Sequence, residues 1–511
     1  MSLENMPNEL LLMVGSCLPD KDLAQLVRVH HHFYNLYIDF LYSRHVKDAG
    51  NVSVHWAIQE GFRKYNNPSA AFKALRMLLA AGADPNATDH NNSMPLLSAV
   101  RAGSVELVRL LVKAGAFISR GTVRHAHPVY QTIADGNEEI MAYFLSAEGS
   151  TCFSRKDLDV PMLEAALNNH QFGKQHMHHN YAPSVPTVVP DHEGIIRLLL
   201  DNKEDVDARN QSGCTALHIA CQAGHFGIRQ STHNIIKALL DAGADPTIES
   251  NVGDTPLLLA MDAADPTAVI ILIDHCPELL TNEDAKGRTP IFYLYRASTS
   301  NHPNHPIVRH RHHYRLHGVH YPDPRSFPTS PGAALEILKL FLSAGASLGH
   351  IDKAGNSPLH TNIQSHDQDL FECMLHRLPH LATKKNRKGV TALHSAADEG
   401  LPELITLLLD KGADVNAKNY YKSTPLHRLC MTPSRKFHGD SDRWLRSAKI
   451  FFDRYAKVND QDKIGQTPLM KACYHENHEM KMMLESGGVD TDLVDFKGRK
   501  AEILRKSYWG R

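Results

Sequence analysis

The sequence predicts an all-α solenoid: about ten to eleven units in a 511-residue chain, each a helix-turn-helix followed by a hairpin loop. Three observations predict it. A phrase of the form Thr-Pro-Leu-His-x-Ala, intact or decayed, recurs along the chain; Leu-Leu-x-x-Gly-Ala answers it about twenty residues later; and several intervals between copies share a period near 33. The clearest copies are Thr215-Ala216-Leu217-His218, Thr391-Ala392-Leu393-His394 and Thr424-Pro425-Leu426-His427. Weaker ones begin at Val52, Met94, His127, Val160, Thr255, Thr289, Ser357 and Thr467.

The intervals 94 to 127, 127 to 160 and 391 to 424 are each 33 residues, and 255 to 289 and 357 to 391 are each 34. This period and this phrase resemble the ankyrin repeat over residues 48 to 500. Each part of the phrase has a physical task. The leading Thr accepts a backbone N–H at the start of the first helix, Pro enters with φ preset and no amide to leave unpaired, and Leu points inward. Losing one such cap costs about 1 kcal/mol, so the decayed heads at Val52, Met94 and Val160 mark weaker local units, not another fold.

The second helix of each unit carries apolar residues at helical spacing, as in Leu404, Ile405, Leu407, Leu408 and Leu409, and ends at Gly412. A lone helix pair cannot bury that face. A buried Leu contributes roughly 1.5 to 3 kcal/mol, and only when a neighbouring unit covers it, so stability approximates a sum of nearest-neighbour interfaces. Most Leu, Ala and His residues of the phrase therefore read as scaffold. The repeated His of His218, His394 and His427 reads as a structural group bonding backbone between repeats.

Composition agrees with a globular, intracellular chain. It is 42% apolar and 22% charged, and the longest apolar stretches, such as Ile195-Ile196-Arg197-Leu198-Leu199-Leu200, fall well short of the about 20 residues that span a bilayer. The start, with Glu4, Asn5, Pro7 and Glu9, lacks the basic opening of a signal peptide, so cytoplasmic and nuclear locations are expected. Eight cysteines (Cys17, Cys152, Cys214, Cys221, Cys276, Cys373, Cys430, Cys473) have no paired spacing and read as reduced, buried thiols. With a net charge of -1, whole-molecule electrostatics point to neither nucleic acid nor an anionic membrane. The basic run Lys384-Lys385-Asn386-Arg387-Lys388 reads as a solvated loop between repeats, a nuclear address or an acid-binding spot.

Residues 1–46 do not follow the repeat. Leu10, Leu11 and Val14 share a helical face, Pro19 and Asp20 break the chain, and Leu23, Leu26, Phe33 and Leu36 continue an apolar stripe. The order Met6-Pro7-Asn8-Glu9-Leu10-Leu11, then Leu18-Pro19 with Asp22-Leu23, then Val29, Phe33 and Leu36 resembles an F-box. Met6 stands where that pattern begins with Leu, a volume-conserving exchange. An F-box followed directly by such repeats resembles the arrangement of fungal F-box/ankyrin proteins. The resemblance implies that Pro7, Leu10, Leu11, Val14, Leu18 and Leu23 dock on the Skp-family linker subunit of a Skp, cullin and F-box ubiquitin ligase, while the repeats choose the target. The alternative is that residues 1–46 serve only as the amino-terminal cap that a repeat stack needs. The expected organisation is thus an F-box-like helical domain at 1–46, a repeat solenoid at 47–500, and a tail at 501–511 completing the last cap.

Five intervals exceed the period: 52 to 94 is 42, 160 to 215 is 55, 215 to 255 is 40, 289 to 357 is 68 and 424 to 467 is 43. Their inserts, Phe62 to Ser69, Asn168 to Pro190, His225 to Thr232, Ala297 to Gly332 and Met431 to Asp442, fall between the two helices of a unit. They therefore project from one edge, either as a binding face or as turns that merely tolerate length. Two inserts, near 168–190 and 297–332, concentrate many of the 34 histidines, among them His170, His176, His178, His179, His310, His312 and His313. Imidazoles bind zinc or copper, but these lack fixed ligand spacing, and Pro303, Pro306, Pro322 and Pro324 favour an extended loop, so no metal or other cofactor is assigned.

No phosphate loop, nucleophile elbow or metalloprotease motif is present; His475-Glu476-Asn477-His478 has the wrong spacing. The expected function is therefore not enzymatic. It is a protein–protein adaptor, read as a monomer on its own, either recruiting substrate to a ubiquitin ligase or acting as a plain repeat scaffold. The general habit of ankyrin proteins implies that an unidentified protein target contacts hairpin tips, for which Arg209, Lys353, Arg387, Lys418, Tyr420 and Tyr421 are the candidates.

Overall fold

The computed structural model describes residues 54, 58, 68–80, 82–88, 93–117, 127–152, 192–222, 229–297, 332–431 and 441–504. The F-box-like segment 1–46, the heads at Val52 and Val160, and most of the inserts lie outside the described residues. Helix after helix follows, and the sole bridge among the described residues is the isolated pair Val494 and Lys500. Chain contacts divide the protein into two compact units, one ending at Gln211 and taking in Asp241–Gly243, the other comprising Ser212–Leu240 and everything from Ala244.

In the first unit the helices Pro95–Arg101 and Val105–Lys113 form one antiparallel pair, and Pro128–Asp135 and Glu138–Leu145 form the next. Leu96, Leu97, Val108, Leu111, Ile133, Ile140 and Phe144 make the core between them. The decayed heads behave differently from one another. Met94 supplies no side-chain cap, whereas the Nδ1 of His127 accepts from the N–H of Val129 at 3.3 Å and so replaces the missing hydroxyl.

In the second unit the pairs are Ala216–Gln222 with Arg229–Asp241, Pro256–Asp262 with Pro266–His275, Ala392–Glu399 with Pro402–Asp410, Pro425–Cys430 with Ser441–Asp453, and Pro468–Tyr474 with His478–Ser486. Between the second and third of these, the first helix of one unit, Pro290–Ala297, is of 3-10 type instead of the expected α-helix, and its partner is Ala333–Ser343. The following unit opens with the short helix Pro358–Asn362. The two helices of this unit are thus 35 residues apart in sequence, from Ala297 to Gly332, yet its neighbours stay in register. Asn362 donates from Nδ2 to the carbonyl of Ile291 at 2.9 Å and accepts from the N–H of Tyr295 at 3.0 Å, and Thr361 donates to Phe292 at 2.9 Å. Residues 229–232, expected within an insert, instead open the helix Arg229–Asp241, with Thr232 buried. Cys276 and Cys373 are half-buried, correcting their assignment as buried thiols, while Cys152, Cys214, Cys221, Cys430 and Cys473 are buried and form no disulfide.

The Thr-x-x-His phrase is a two-sided clamp. Thr391 and Thr424 accept from the N–H of His394 and of His427, each at 3.4 Å, which caps the helix. The N–H of the same Thr donates to the histidine Nδ1 at 3.2 Å in both cases, so Nδ1 is the unprotonated nitrogen. Nε2 then carries the proton and donates it to the next repeat: His394 to the carbonyl of Ser423 and His427 to that of Gln466, both at 3.0 Å. His218 reaches Asp254 at 3.0 Å and His360 reaches Val390 at 3.1 Å in the same way. Desolvation pushes the imidazoles of His394 and His427 down to about 4, and that of His360 down as well, so all three are neutral at pH 7.

A second tie, invisible in the repeat phrase, is ionic. Arg296 is buried with its guanidinium donating to Asp262 from Nε at 2.6 Å and again from Nη2, and to Asp254 from Nη1 at 2.7 Å. Burial works against that charge, but the two carboxylates outweigh it and hold the guanidinium protonated more firmly than usual. A buried pair of this kind adds little net stability when intact, whereas removing one partner leaves uncompensated charge at a cost of roughly 3 to 5 kcal/mol. Arg296→Met is therefore expected to lower unfolding free energy by about that amount, measured by urea titration. Asp254→Asn, which leaves Asp262 in place, is expected to cost less.

The neutral histidines make stability fall in acid. Their folded affinity for protons is depressed, so the stabilisation is complete above the ordinary value of 6.5 and is lost as pH drops toward 4, on the order of 3 kcal/mol for each of His394 and His427. Melting the intact protein and the His394→Gln, His427→Gln variant across this window is expected to show a lower variant Tm at pH 7 and a shallower decline below pH 6.5. Parallel declines would remove the histidines from the account.

Candidate functional site

Between consecutive units of the second compact body the chain makes a tight turn, and the turns have a common chemistry. Asp284, Asp352, Asn386, Asn419, Asp462 and Asp495 each accept two backbone N–H bonds through Oδ1, from the residues two and four further on. For Asp352 these come from Ala354 at 2.9 Å and Asn356 at 2.7 Å. Its other oxygen accepts from Arg288 at 2.9 Å. Burial works against the charge on Asp352 and Asp495, but the bonds each accepts outweigh it and hold both carboxyls below their usual range.

The turns are also joined to each other. Lys353 donates its N–H to Lys286, Arg387 to Ala354, Tyr420 to Lys388, Lys463 to Tyr421 and Phe496 to Ile464, at 2.8 to 3.3 Å. These bonds bring successive tips so close that Gly355 and Gly465 have no alternative: both have φ +81, and a Cβ there would meet the backbone nitrogen of Arg387 at 2.7 Å or of Phe496 at 2.6 Å. At the equivalent point of the Asn419 turn the chain uses Lys422, at φ 54.

With the acids of the turns facing inward, what remains outside is basic and aromatic. Lys353, Arg387 and Lys418 are exposed, as are Tyr420 (70%) and Tyr421 (62%). All five candidates from this region therefore lie on one line of tips. Lys353 donates from Nζ to the carbonyl of Ala285 at 3.0 Å, and Lys418 pairs with Asp460 at 2.9 Å. Arg209 is exposed and lies in the first unit. The six residues of the F-box-like face, Pro7, Leu10, Leu11, Val14, Leu18 and Leu23, lie outside the described residues.

The tips continue further than the sequence reading took them. Lys463, Ile464 (55% exposed), Phe496 (73%) and Lys497 occupy the next two turns. The signal was present, since Asp462-Lys463-Ile464-Gly465 and Asp495-Phe496-Lys497-Gly498 repeat the turn pattern of Asp352-Lys353-Ala354-Gly355. At the other end, between the turns at 249–253 and 282–288, an open groove is lined by Glu249, Glu283, Asp284, Arg288 and Tyr293, with the Tyr293 hydroxyl donating to Asp284 at 2.5 Å. Among the described residues no three His, Cys, Asp or Glu side chains are grouped to hold a metal ion, and no helix is long and apolar enough to cross a membrane.

Comparison with known proteins agrees with this geometry. Sequence profiles for ankyrin repeats match residues 48–112 and 188–230, a single-repeat profile matches 212–251, and a three-repeat profile matches 330–419. The probable 26S proteasome regulatory subunit p28 of Saccharomyces cerevisiae is 32% identical over 153 residues, 30% of this chain and 63% of that protein. The B-cell lymphoma 3 protein of Homo sapiens is 26% identical over 233 residues, 45% of this chain and 42% of that one. The alpha-latrotoxin-Lg1a of Latrodectus geometricus is 29% identical over 166 residues, 32% of this chain and 11% of the toxin. The chain thus spans less than two thirds of the length of each of these relatives. Residues 48–112, 188–251 and 330–419 are ankyrin repeats, a module of protein–protein interaction.

Proposed function

We propose that this protein is a non-catalytic adaptor: its ankyrin repeats hold a protein target along the line of turn tips, and residues 1–46 dock on a Skp-family linker subunit so that the target is presented to a ubiquitin ligase. The observation that carries the first half is the division of labour in each turn. Buried Asp, Asn, Thr and His side chains meet the backbone's own needs, while Lys353, Arg387, Tyr420 and Phe496 reach outward with no structural burden of comparable size. Exposed Tyr and Arg side chains carry much of the energy of protein interfaces once a partner covers them.

The second half is supported by the order Met6-Pro7-Asn8-Glu9-Leu10-Leu11, Leu18-Pro19 and Asp22-Leu23 ahead of the first repeat match at residue 48. A segment of this length and apolar content needs a partner to cover it, and a helix of the linker subunit would supply that cover. The competing arrangement, in which the same segment only caps the repeats, makes the opposite prediction about binding.

Co-purification of the full chain with a Skp-family linker subunit separates them. Stable capture by the intact chain, lost when Pro7 and Leu10 are changed to Ala while the melting curve is kept, is the expected result. Failure of the intact chain to bind the linker, or equal binding by the variant, would remove the ligase role and leave an ankyrin binding module. Tyr420→Ala with Tyr421→Ala is expected to weaken target binding by about 2 kcal/mol or more without changing linker binding, measured by calorimetry once a target is in hand.

A further inference from the structure

The interaction surface has a chemistry of its own. Every acid of the five turns from Asp352 to Asp495 is turned inward, and two of the five carry a neutral Asn in that place, Asn386 and Asn419. The cations point the other way. Lys353, Arg387, Lys388, Lys422, Lys463 and Lys497 are exposed, and among the described residues none of them pairs with a carboxylate. Interleaved with them are apolar side chains at high exposure: Tyr420, Ile464 and Phe496. The Tyr420 ring lies over Gly389 and the Phe496 ring over Gly465, so each is fixed in place by the turn before it and leaves an open side. A chain of net charge -1 thus carries a basic, aromatic ridge along one edge of its second unit.

We infer that this ridge binds an extended acidic polypeptide segment, one that alternates carboxylates with aliphatic or aromatic side chains. The inference rests on the proposed interaction role and names the class of its target. Charge complementarity carries it: unpaired exposed cations in a row attract a run of carboxylates, and a like-charged segment is rejected. The interleaved Tyr and Phe give the apolar residues of such a segment somewhere to sit. Nucleic acid fits less well, because single-strand binding sites are broadly cationic, whereas Asp460, Asp490 and Asp492 flank this ridge and the sequence pI is about 7.2. The turn backbones are already bonded to one another, so recognition falls to side chains and not to strand addition.

The test uses the full chain and a fluorescein-labelled peptide built from the repeat Asp-Glu-Leu-Phe, followed by anisotropy. Three competitors accompany it: the same peptide with Lys for each acid, with Gly for each Leu and Phe, and an oligothymidylate. The expected result is binding of the acidic peptide alone, weakened about tenfold or more by Arg387→Glu with Lys388→Glu. Tyr420→Ala with Phe496→Ala is expected to weaken it as well. Raising salt from about 0.1 to about 1 M, which shortens screening from about 10 to about 3 Å, is expected to weaken it too. All four substitutions are at exposed positions, so an unchanged melting curve verifies the fold. Equal binding of the Lys or Gly peptide, indifference to charge reversal, or tighter binding of oligothymidylate would overturn the inference. A photo-crosslinking residue at Tyr421 separates the two levels. Partners captured there equally by the intact and charge-reversed chains would overturn the acidic-segment inference while leaving the interaction module standing.

Discussion

No unit of this protein can satisfy itself, and the structure follows from how each one draws on the next. The apolar face of a helix such as Pro402–Asp410 is covered only when Ser441–Asp453 lies against it, and the polar groups obey the same constraint. A carbonyl at the end of a turn, that of Ser423 for instance, finds its donor in the histidine of the preceding repeat. The histidine is oriented for this because Thr391 N–H occupies its Nδ1, leaving the proton on Nε2. One short phrase therefore caps a helix, sets a tautomer and ties two repeats, which explains why it survives where other positions of the repeat drift.

The same dependence explains how the chain absorbs long insertions. The heads at Thr289 and Ser357 are 68 residues apart, yet their turns are joined by the bond from Lys353 to Lys286 and by Arg288 to Asp352. Extending a loop costs only about 0.6 kcal/mol per doubling of length. Losing the contacts between neighbouring units would cost far more, so the register of the neighbours is kept across the longer interval. The price in regularity is local: the first helix there is 3-10 over Pro290–Ala297, and a buried Arg296 with Asp254 and Asp262 supplies an ionic tie.

Charge is partitioned by the turn as well. An Asp at its head is needed inside, accepting N–H bonds, so its charge is withdrawn from the surface. Among the described residues, Lys353, Lys463 and Lys497, which follow directly in these turns, pair with no carboxylate. A balance near neutrality over the whole chain consequently coexists with a basic edge in the second unit, and the aromatic residues held over Gly389 and Gly465 lie among those cations.

Much of this was legible in the residues themselves. The recurrence of Thr-x-x-His, the helical spacing of Leu404, Ile405, Leu408 and Leu409, and the Gly412 that ends their helix are local signals, set by capping and by burial periodicity, and they sufficed for an all-α repeat fold and for the scaffold role of His218, His394 and His427. Lys353, Arg387, Lys418, Tyr420 and Tyr421 were candidates through the resemblance to ankyrin proteins, which bind through their hairpin tips. Other features depend on which residues meet across dozens of intervening positions. Nothing local to Arg296 announces Asp254 and Asp262, and nothing in His127 announces that it caps its helix through a ring nitrogen. That Lys463 and Phe496 extend one line with Tyr420, while Arg209 lies in the other unit, was decided by the tertiary structure, because only the bonds between successive turns place those side chains along a common edge.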